Sequence, residues 1–132
     1  MPGCTCSFKC GKSICQNIPL FNSETKEVSI QKIVEDYLKN DLTSAIVFAG
    51  LEWLDQFLDL LECIEAFREK TMDDIVIYTG YDKEEITEHL MTLKKYKNII
   101  MKFGRYIPNQ EKHFDPVLGV YLASNNQYGE KL

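Results

Sequence analysis

The sequence predicts an α/β fold with a mostly parallel sheet connected by helical crossovers. Three short apolar runs, each followed by a glycine, alternate along the chain with stretches whose apolar residues recur at helical spacing. This alternation is typical of parallel strands joined by crossover helices. With 132 residues, of which 45% are hydrophobic, we expect one domain over residues 1–132 that buries its own core.

The first helix is expected to begin after Ser29, a favoured N-cap residue, and to end at residues 40–41. Its apolar positions are Ile30, Ile33, Val34, Tyr37 and Leu38. The apolar run at 44–49 predicts a strand buried on both faces, which ends at Gly50.

A second helix, a second strand, a third helix and a third strand follow. The apolar stripe of the second helix is Leu54, Phe57, Leu58, Leu61, Ile64 and Phe67, with Cys63 beside it. Residues 74–79 predict a strand ended by Gly80, and Asp82 with Glu85 predicts a capping box. The third helix carries Ile86, Leu90 and Leu93. Residues 98–103 predict a strand ended by Gly104, then a loop over 105–119 and a last strand at 120–123.

The glycines after the three strands mark one edge of the predicted sheet. Ligands bind parallel sheets at the carboxyl ends of the strands, and Gly50, Gly80 and Gly104 all lie there. Glycine allows a ligand to approach the backbone closely, but each of the three is also explained as an ordinary turn residue.

Composition argues against several classes of function. The net charge is −5 and the lysines are interspersed with carboxylates, so there is no concentrated basic face for nucleic acid. No apolar run has the length of a membrane span, and no signal peptide is recognisable at the N-terminus. We therefore expect a cytoplasmic protein that binds neither nucleic acid nor membrane.

Four of the five cysteines crowd into residues 4–15. Thiols this close together in a chain of cytosolic character favour metal binding over disulfides. Zinc usually takes ligand pairs from two segments, and here no second pair exists, whereas one loop with Cys-x3-Cys-x4-Cys suits an iron–sulfur cube. Spacing alone leaves both metals open.

Several motifs in order resemble one family. Residues 6–10 with Cys15-Gln16-Asn17 resemble the cluster loop of radical S-adenosylmethionine enzymes, and more narrowly that of the small activating enzymes of anaerobic ribonucleotide reductase. Residues 49–52 stand where that family has a Gly-Gly-Glu type motif. Residues 78–81 match its Tyr-Thr-Gly-Tyr, and residues 104–106 and 123–127 resemble its late glycine turn and Ser-Asn-Gln segment. The resemblance covers the chain from residue 4 onward.

The resemblance implies a fold, a cofactor and a partner. The fold is a partial, incomplete barrel of mostly parallel strands, with a cluster loop at 4–17, βα units at 28–104 and a C-terminal loop and strand at 105–127. A 4Fe-4S cluster with one open iron would bind S-adenosylmethionine and yield a 5′-deoxyadenosyl radical. That radical would install a glycyl radical on the large subunit of an anaerobic ribonucleotide reductase, with an electron donor such as flavodoxin.

The resemblance also implies site residues. Cys6, Cys10 and Cys15 would hold three irons of the cluster. Ile14 would pack near the adenine, Gly50 and Glu52 would lie by the methionine end, and Thr79 would lie on the neighbouring strand. Two of these residues have simpler interpretations: Ile14 as loop packing, and Glu52 as a solvated first-turn carboxylate favoured by its helix N-terminus.

The chain departs from the family pattern at several positions. The final cysteine gap is four residues rather than two, Ala49 replaces the first glycine, and Trp53 stands where proline is common and adds bulk beside the methionine pocket. The strand that usually precedes the cluster loop is expected to be missing, which would impair activity and leave residues 45–49 as an exposed apolar edge.

Cys4 is an additional thiol two residues before Cys6. If it bound the fourth iron, no position would remain for S-adenosylmethionine. The alternative function is therefore a non-catalytic metal-binding module of the same fold, with zinc or a fully ligated cluster. A folded remnant without activity is the third possibility.

Overall fold

The structure, a computed structural model, describes residues 17–132 as a mixed α/β fold. The helices are α1 (Ile18–Phe21), α2 (Ile30–Leu38), α3 (Phe57–Arg68) and α4 (Thr87–Leu93), and 3-10 helices at Trp53–Gln56 and Lys83–Glu85 precede the last two. The strands are β1 (Ala45–Phe48), β2 (Asp74–Tyr78), β3 (Ile99–Phe103), β4 (His113–Asp115), β5 (Val120–Leu122) and β6 (Tyr128–Lys131). None of the helices between residues 17 and 132 has the length and apolar character needed to cross a membrane.

The main sheet is mostly parallel, as predicted. Its order is β1-β2-β3-β6, in which β1, β2 and β3 are parallel and β6 runs antiparallel to β3. The sheet does not close on itself within the described residues, so the structure shows an open sheet and does not confirm a barrel. Strands β4 and β5 form a separate antiparallel hairpin.

One face of the main sheet is covered by helices. Helices α3 and α4 connect neighbouring parallel strands in the same direction, and right-handed crossovers of this kind place both helices on one face. The core forms there, from α2, α3, α4 and the strand residues that face them. The strand residues in this core are Ile46, Phe48, Ile75, Ile77, Ile99, Met101 and Phe103.

The face of the sheet that points away from the helices is exposed at strand β1. Val47 is in register with Val76 and, like it, points away from the helices; its side chain remains 55% exposed. The prediction that the 44–49 strand is buried on both faces was therefore wrong, because the face of β1 that points away from the helices is left largely uncovered. The expectation of an exposed apolar edge at residues 45–49 agrees with the exposure of Val47.

Most helix predictions are confirmed, and one apolar stripe is corrected. Ser29 caps α2, accepting a hydrogen bond from the Lys32 N–H at 3.2 Å. The capping box of Asp82 and Glu85 also forms, although it opens a 3-10 turn rather than α4 itself.

The correction concerns α3, where Leu58 is 76% exposed and Leu60 is fully buried in its place. The 3-10 helix before Phe57 has fewer residues per turn than an α-helix, so it rotates the apolar stripe relative to a continuous helix. The buried stripe of α3 is Leu60, Cys63, Ile64 and Phe67.

The C-terminal region differs most from the prediction. Strand β4 lies inside the predicted loop, and the predicted last strand pairs with β4 instead of joining the main sheet. The fourth strand of the main sheet is β6, whose sequence Tyr-Gly-Glu-Lys lacks the apolar pattern from which strands are predicted.

Asp115 anchors the hairpin to β6. Its Oδ1 accepts hydrogen bonds from the N–H groups of Val117 (3.0 Å) and Leu118 (2.9 Å), and its Oδ2 accepts one from Gly129 N–H at 2.8 Å. A Cβ on Gly129 would lie 2.6 Å from Leu118 Cγ, so only glycine allows this close approach. Because Gly129 pairs with Lys102, which alternates with core-facing residues, the hairpin lies against the β3–β6 part of the face opposite the helices.

We predict that Asp115→Asn destabilises the fold by about 1–3 kcal/mol at neutral pH, because an amide cannot accept all three hydrogen bonds. Burial pushes the pKa of Asp115 upwards, but the N–H donors of Gly129, Leu118 and Val117 outweigh it and hold the pKa below its ordinary value. The carboxylate therefore stabilises the fold above the ordinary carboxyl pKa, and this contribution is lost as the pH falls through the lowered pKa.

Urea unfolding followed by circular dichroism tests this at neutral pH and at about pH 3. The difference between Asp115→Asn and the unsubstituted protein should shrink at the lower pH. Asp41→Asn, which changes an exposed carboxylate, is the control and should alter stability little at either pH. Equal stabilities of Asp115→Asn and the unsubstituted protein at neutral pH would contradict the anchoring role.

Candidate functional site

The loops that follow β1 and β2 meet at the carboxyl edge of the sheet. Gly50 and Glu52 follow β1, and Thr79 and Gly80 follow β2, which lies beside β1 in parallel register. The structure therefore brings together three residues that the sequence predicted to share a site: Gly50, Glu52 and Thr79. The fourth, Ile14, lies outside the described residues.

Glu52 is buried at this edge, with only 5% of its surface exposed. Its Oε1 accepts hydrogen bonds from Thr79 Oγ1 (3.0 Å) and from Leu54 N–H (3.3 Å). Its Oε2 accepts one from Gly80 N–H at 2.9 Å. Glu52 does cap the 3-10 helix at Trp53–Gln56, but it is not the solvated carboxylate of the simpler interpretation.

Burial sets the electrostatics of Glu52. It raises the pKa of this carboxyl group above its ordinary value, while the hydrogen bonds from Gly80, Thr79 and Leu54 oppose the rise and the nearby charge of Asp55 adds to it. The hydrogen-bond donors of Gly80, Thr79 and Leu54 favour the ionised form of Glu52, and an ionised carboxylate attracts a positively charged group in the adjoining space.

Thr79 links Glu52 to the next turn. Its hydroxyl donates to Glu52 and also accepts a hydrogen bond from Tyr81 N–H at 3.0 Å, and the residue is 3% exposed. The Tyr81 hydroxyl in turn donates to Asp55 Oδ1 at 2.7 Å, in the same segment as Glu52. Together with the bond from Gly80 N–H to Glu52, three hydrogen bonds thus hold the loop after β2 against the loop after β1.

Arg105 extends this contact to the end of β3. Its guanidinium lies 5.6 Å from the centre of the Tyr81 ring and forms an ion pair of 2.8 Å with Glu85. The backbone N–H of Gly104 also donates to the Tyr81 carbonyl at 3.1 Å. Asp55 and Arg105 were not predicted as site residues. Arg105 reaches the site through Glu85, which the sequence indicated only as part of a helix cap.

Gly50 has a structural reason to be glycine. Its φ is +100°, and a Cβ there would lie 3.0 Å from Leu20 Cδ2 of α1. The Gly50 carbonyl accepts a hydrogen bond from the Asn17 side-chain amide. The group that approaches Gly50 is thus the chain's own segment directly after the cysteine loop, which is held against the carboxyl end of β1.

A cavity of about 230 Å³ adjoins Glu52. It is lined by Leu20, Ala49, Leu51, Glu52, Trp53 and Gln56. The Trp53 ring packs edge-on against Phe48, with ring centres 5.0 Å apart, and its indole N–H donates to the Ala49 carbonyl at 3.2 Å. Trp53 is therefore a fixed wall of the cavity.

The predicted cluster ligands Cys6, Cys10 and Cys15, and the additional Cys4, lie outside the described residues. Cys63 is buried in the core on α3, and burial, with smaller contributions from Asp59 and Glu62, raises the pKa of its thiol. Within residues 17–132, no group of three or more histidine, cysteine or acidic side chains is arranged to hold a metal ion.

A family model described as a 4Fe-4S single cluster domain matches residues 3–127, which is nearly the whole chain. The chain belongs to this family. The family is found in radical S-adenosylmethionine enzymes, and membership indicates a domain that binds a 4Fe-4S cluster. No curated protein and no solved structure gives a significant match.

Membership in the 4Fe-4S family narrows the choice of metal that the cysteine spacing left open. The matched range contains the four clustered cysteines and also the buried Glu52 with its neighbours. An iron–sulfur cluster is thus supported over zinc.

We predict that Thr79→Val destabilises the protein by about 1–3 kcal/mol, because valine has the same shape but no hydroxyl for Glu52 or for Tyr81 N–H. Thr79→Ser keeps the hydroxyl and should lose less. Thr92→Val, on α4, removes a hydroxyl that contacts only its own helix at Glu88 and should change stability by less than about 0.5 kcal/mol. Chemical denaturation measures all three variants, and equal losses for Thr79→Val and Thr92→Val would contradict the bridging role of Thr79.

Proposed function

We propose that the chain is a radical S-adenosylmethionine activating enzyme that installs a glycyl radical on the large subunit of an anaerobic ribonucleotide reductase. One observation supports this most strongly. In a chain of the 4Fe-4S single cluster family, a buried carboxylate and an apolar cavity lie directly beside the segment that leaves the cysteine loop. The reduced cluster would supply the electron that cleaves the carbon–sulfur bond of the cofactor.

The cluster ligands in this proposal are Cys6, Cys10 and Cys15. Cys63 is unsuitable because it is buried in the α3 core, so the thiolates that a 4Fe-4S cluster needs come from residues 4–15. Cys15 precedes Asn17 by two residues, which span at most about 7 Å of chain. Asn17, the first described residue after the cysteine loop, donates its side-chain amide to the Gly50 carbonyl at the carboxyl end of β1.

The methionine end of S-adenosylmethionine is proposed to occupy the cavity beside Glu52. The Glu52 carboxylate suits the cationic amino group, and the walls formed by Leu20 and Trp53 suit the methylene groups. A volume of about 230 Å³ is enough for an amino acid but smaller than the roughly 300–1,000 Å³ of sites for larger ligands. The adenosine part would therefore extend beyond the cavity, where Ile14 is proposed to pack against the adenine.

In this proposal Thr79 and Gly50 act mainly through other residues. Thr79 orients the Glu52 carboxylate through its 3.0 Å hydrogen bond. Gly50 allows Leu20 to approach and form part of the cavity wall. We also interpret the open sheet as a segment of a partial barrel, because three parallel strands with both crossover helices on one face are the unit that such barrels repeat.

A second candidate function is a non-catalytic module with a fully ligated cluster. Cys4 favours it, since it lies in the matched range two residues from Cys6 and supplies a fourth thiol. In that case no iron would be open to S-adenosylmethionine. An electron donor such as flavodoxin is needed only for the enzyme.

Replacement of single cysteines by alanine separates the two candidates. We expect Cys6→Ala, Cys10→Ala and Cys15→Ala each to lose most iron and sulfide after anaerobic reconstitution, because a cube held by two thiolates is labile. Cys4→Ala should keep its cluster and still form 5′-deoxyadenosine on reduction with dithionite. Iron, sulfide and nucleoside analysis measure these outcomes, and a loss of iron from Cys4→Ala equal to that from Cys6→Ala would favour the non-catalytic module.

Glu52→Gln tests the cofactor site separately from the cluster. We expect the variant to keep its iron but to bind S-adenosylmethionine at least about tenfold more weakly, which corresponds to about 1.4 kcal/mol, because the amide lacks the charge that attracts the ammonium group. Equilibrium dialysis of the reconstituted protein measures the affinity. Glu62→Gln, at an exposed position on α3, is the control. Unchanged affinity in Glu52→Gln would rule out the proposed contact.

A further inference from the structure

The β4–β5 hairpin presents two aromatic side chains to solvent. Phe114 and Tyr121 are directly opposite each other in the register, and their rings meet edge to face with centres 5.5 Å apart. Phe114 is 52% exposed and Tyr121 is 72% exposed. Their neighbours Asp115 and Leu122 point the other way and are buried against the rest of the protein.

The hairpin is held firmly without help from these aromatic residues. Asp115 ties it to Gly129, and Gln127 Oε1 accepts hydrogen bonds from the N–H groups of Ala123 (3.1 Å) and Ser124 (3.3 Å). The Gln127 amide also donates to the Gly104 carbonyl at 3.2 Å. The exposed pair is therefore displayed on a preorganised platform and is not needed to maintain it.

The same stretch is depleted in exposed charge. Asp115 is the one charged residue in residues 113–128, and it is buried, although 27% of the whole chain is charged. Loss of charged residues together with enrichment in Phe and Tyr characterises the central part of protein–protein interfaces. Solvated surfaces of this chain elsewhere carry alternating lysines and carboxylates.

We propose that the hairpin patch, defined as Phe114, Tyr121 and the exposed turn residue Val117, is a docking surface for the folded protein that this enzyme activates. The proposal rests on the proposed function, since that function requires a protein substrate. The partner is expected to present a complementary apolar surface without charge. This chemistry follows from the absence of exposed charge on the hairpin.

The position of the patch fits a substrate protein. The hairpin is anchored at Gly129, which pairs with Lys102, one residue before the carboxyl end of β3. Glu52 and Thr79 lie at the carboxyl ends of β1 and β2 in the same parallel sheet. The hairpin is thus attached near the carboxyl ends of the parallel strands, the end at which the proposed cofactor site lies, with β2 between β3 and β1.

The size of the patch argues against a stable dimer of this chain. From the exposed fractions, the two aromatic residues and Val117 present on the order of 300–400 Å². Stable interfaces bury about 800 Å² on each partner. A surface of half that size suits a transient complex, which an activating enzyme needs in order to release its product.

The test compares Phe114→Ser/Tyr121→Ser with a control double variant, Leu58→Ser/Met91→Ser. The control removes two exposed apolar side chains from the helices on the opposite side of the sheet. Binding of each reconstituted full-length protein to the large subunit of an anaerobic ribonucleotide reductase from the same genome is measured by biolayer interferometry. We expect at least tenfold weaker binding for the hairpin variant and no change for the control.

Two further readouts separate this proposal from the proposed function. Iron content and 5′-deoxyadenosine formed with dithionite in the absence of a partner should be unchanged in the hairpin variant. If the unsubstituted protein lacks these activities, the proposed function fails. If it has them, the docking proposal is overturned by equal binding of the hairpin variant, by no binding of the reductase to the unsubstituted protein, or by a dimer in sedimentation analysis that the hairpin substitutions dissociate.

Discussion

The arrangement of the carboxyl edge depends on one buried carboxylate. Removing a charged group from water is costly, and the structure compensates Glu52 with hydrogen bonds from the loop after β2 and from the start of the next helix. These bonds fix where the loops after β1 and β2 lie relative to each other. The segment after β1 also lines the cavity next to Glu52 and supplies its acidic side chain.

A second set of buried polar groups fixes the C-terminal region against strands β3 and β6. The Gly104 carbonyl, at the end of β3, accepts hydrogen bonds from Lys102 Nζ at 2.8 Å and from the Gln127 amide. Asp115 binds the hairpin to β6. The bonds of Gln127 to Gly104 and of Asp115 to Gly129 join segments distant in sequence, so the irregular C-terminal region is positioned by specific hydrogen bonds more than by an apolar core of its own.

This distinction explains which features the sequence could predict. Helix α2 and strands β1 to β3 were predictable because apolar periodicity and caps are local signals. Strand β6 was not, since a Tyr-Gly-Glu-Lys strand at a sheet edge owes its place to pairing with β3. Likewise, Glu52 was predicted as a site residue from resemblance, but its burial depends on Thr79, 27 residues away. The cysteine ligands remain predictions, because they lie outside the described residues.

Under the proposed function, the open face of the sheet has a chemical consequence. A carbon-centred radical must meet its target and little else, and enzymes achieve this by excluding water and competing groups from the site. Here Val47, on the face away from the helices, is still half exposed. The described part of the chain thus encloses the Glu52 cavity on the side of Leu20 and Trp53 but leaves the neighbouring sheet face open. A substrate protein that docks beside this face on the hairpin would supply cover only while its own glycine is present. The radical would then form, and react with the substrate glycine, only in the docked complex.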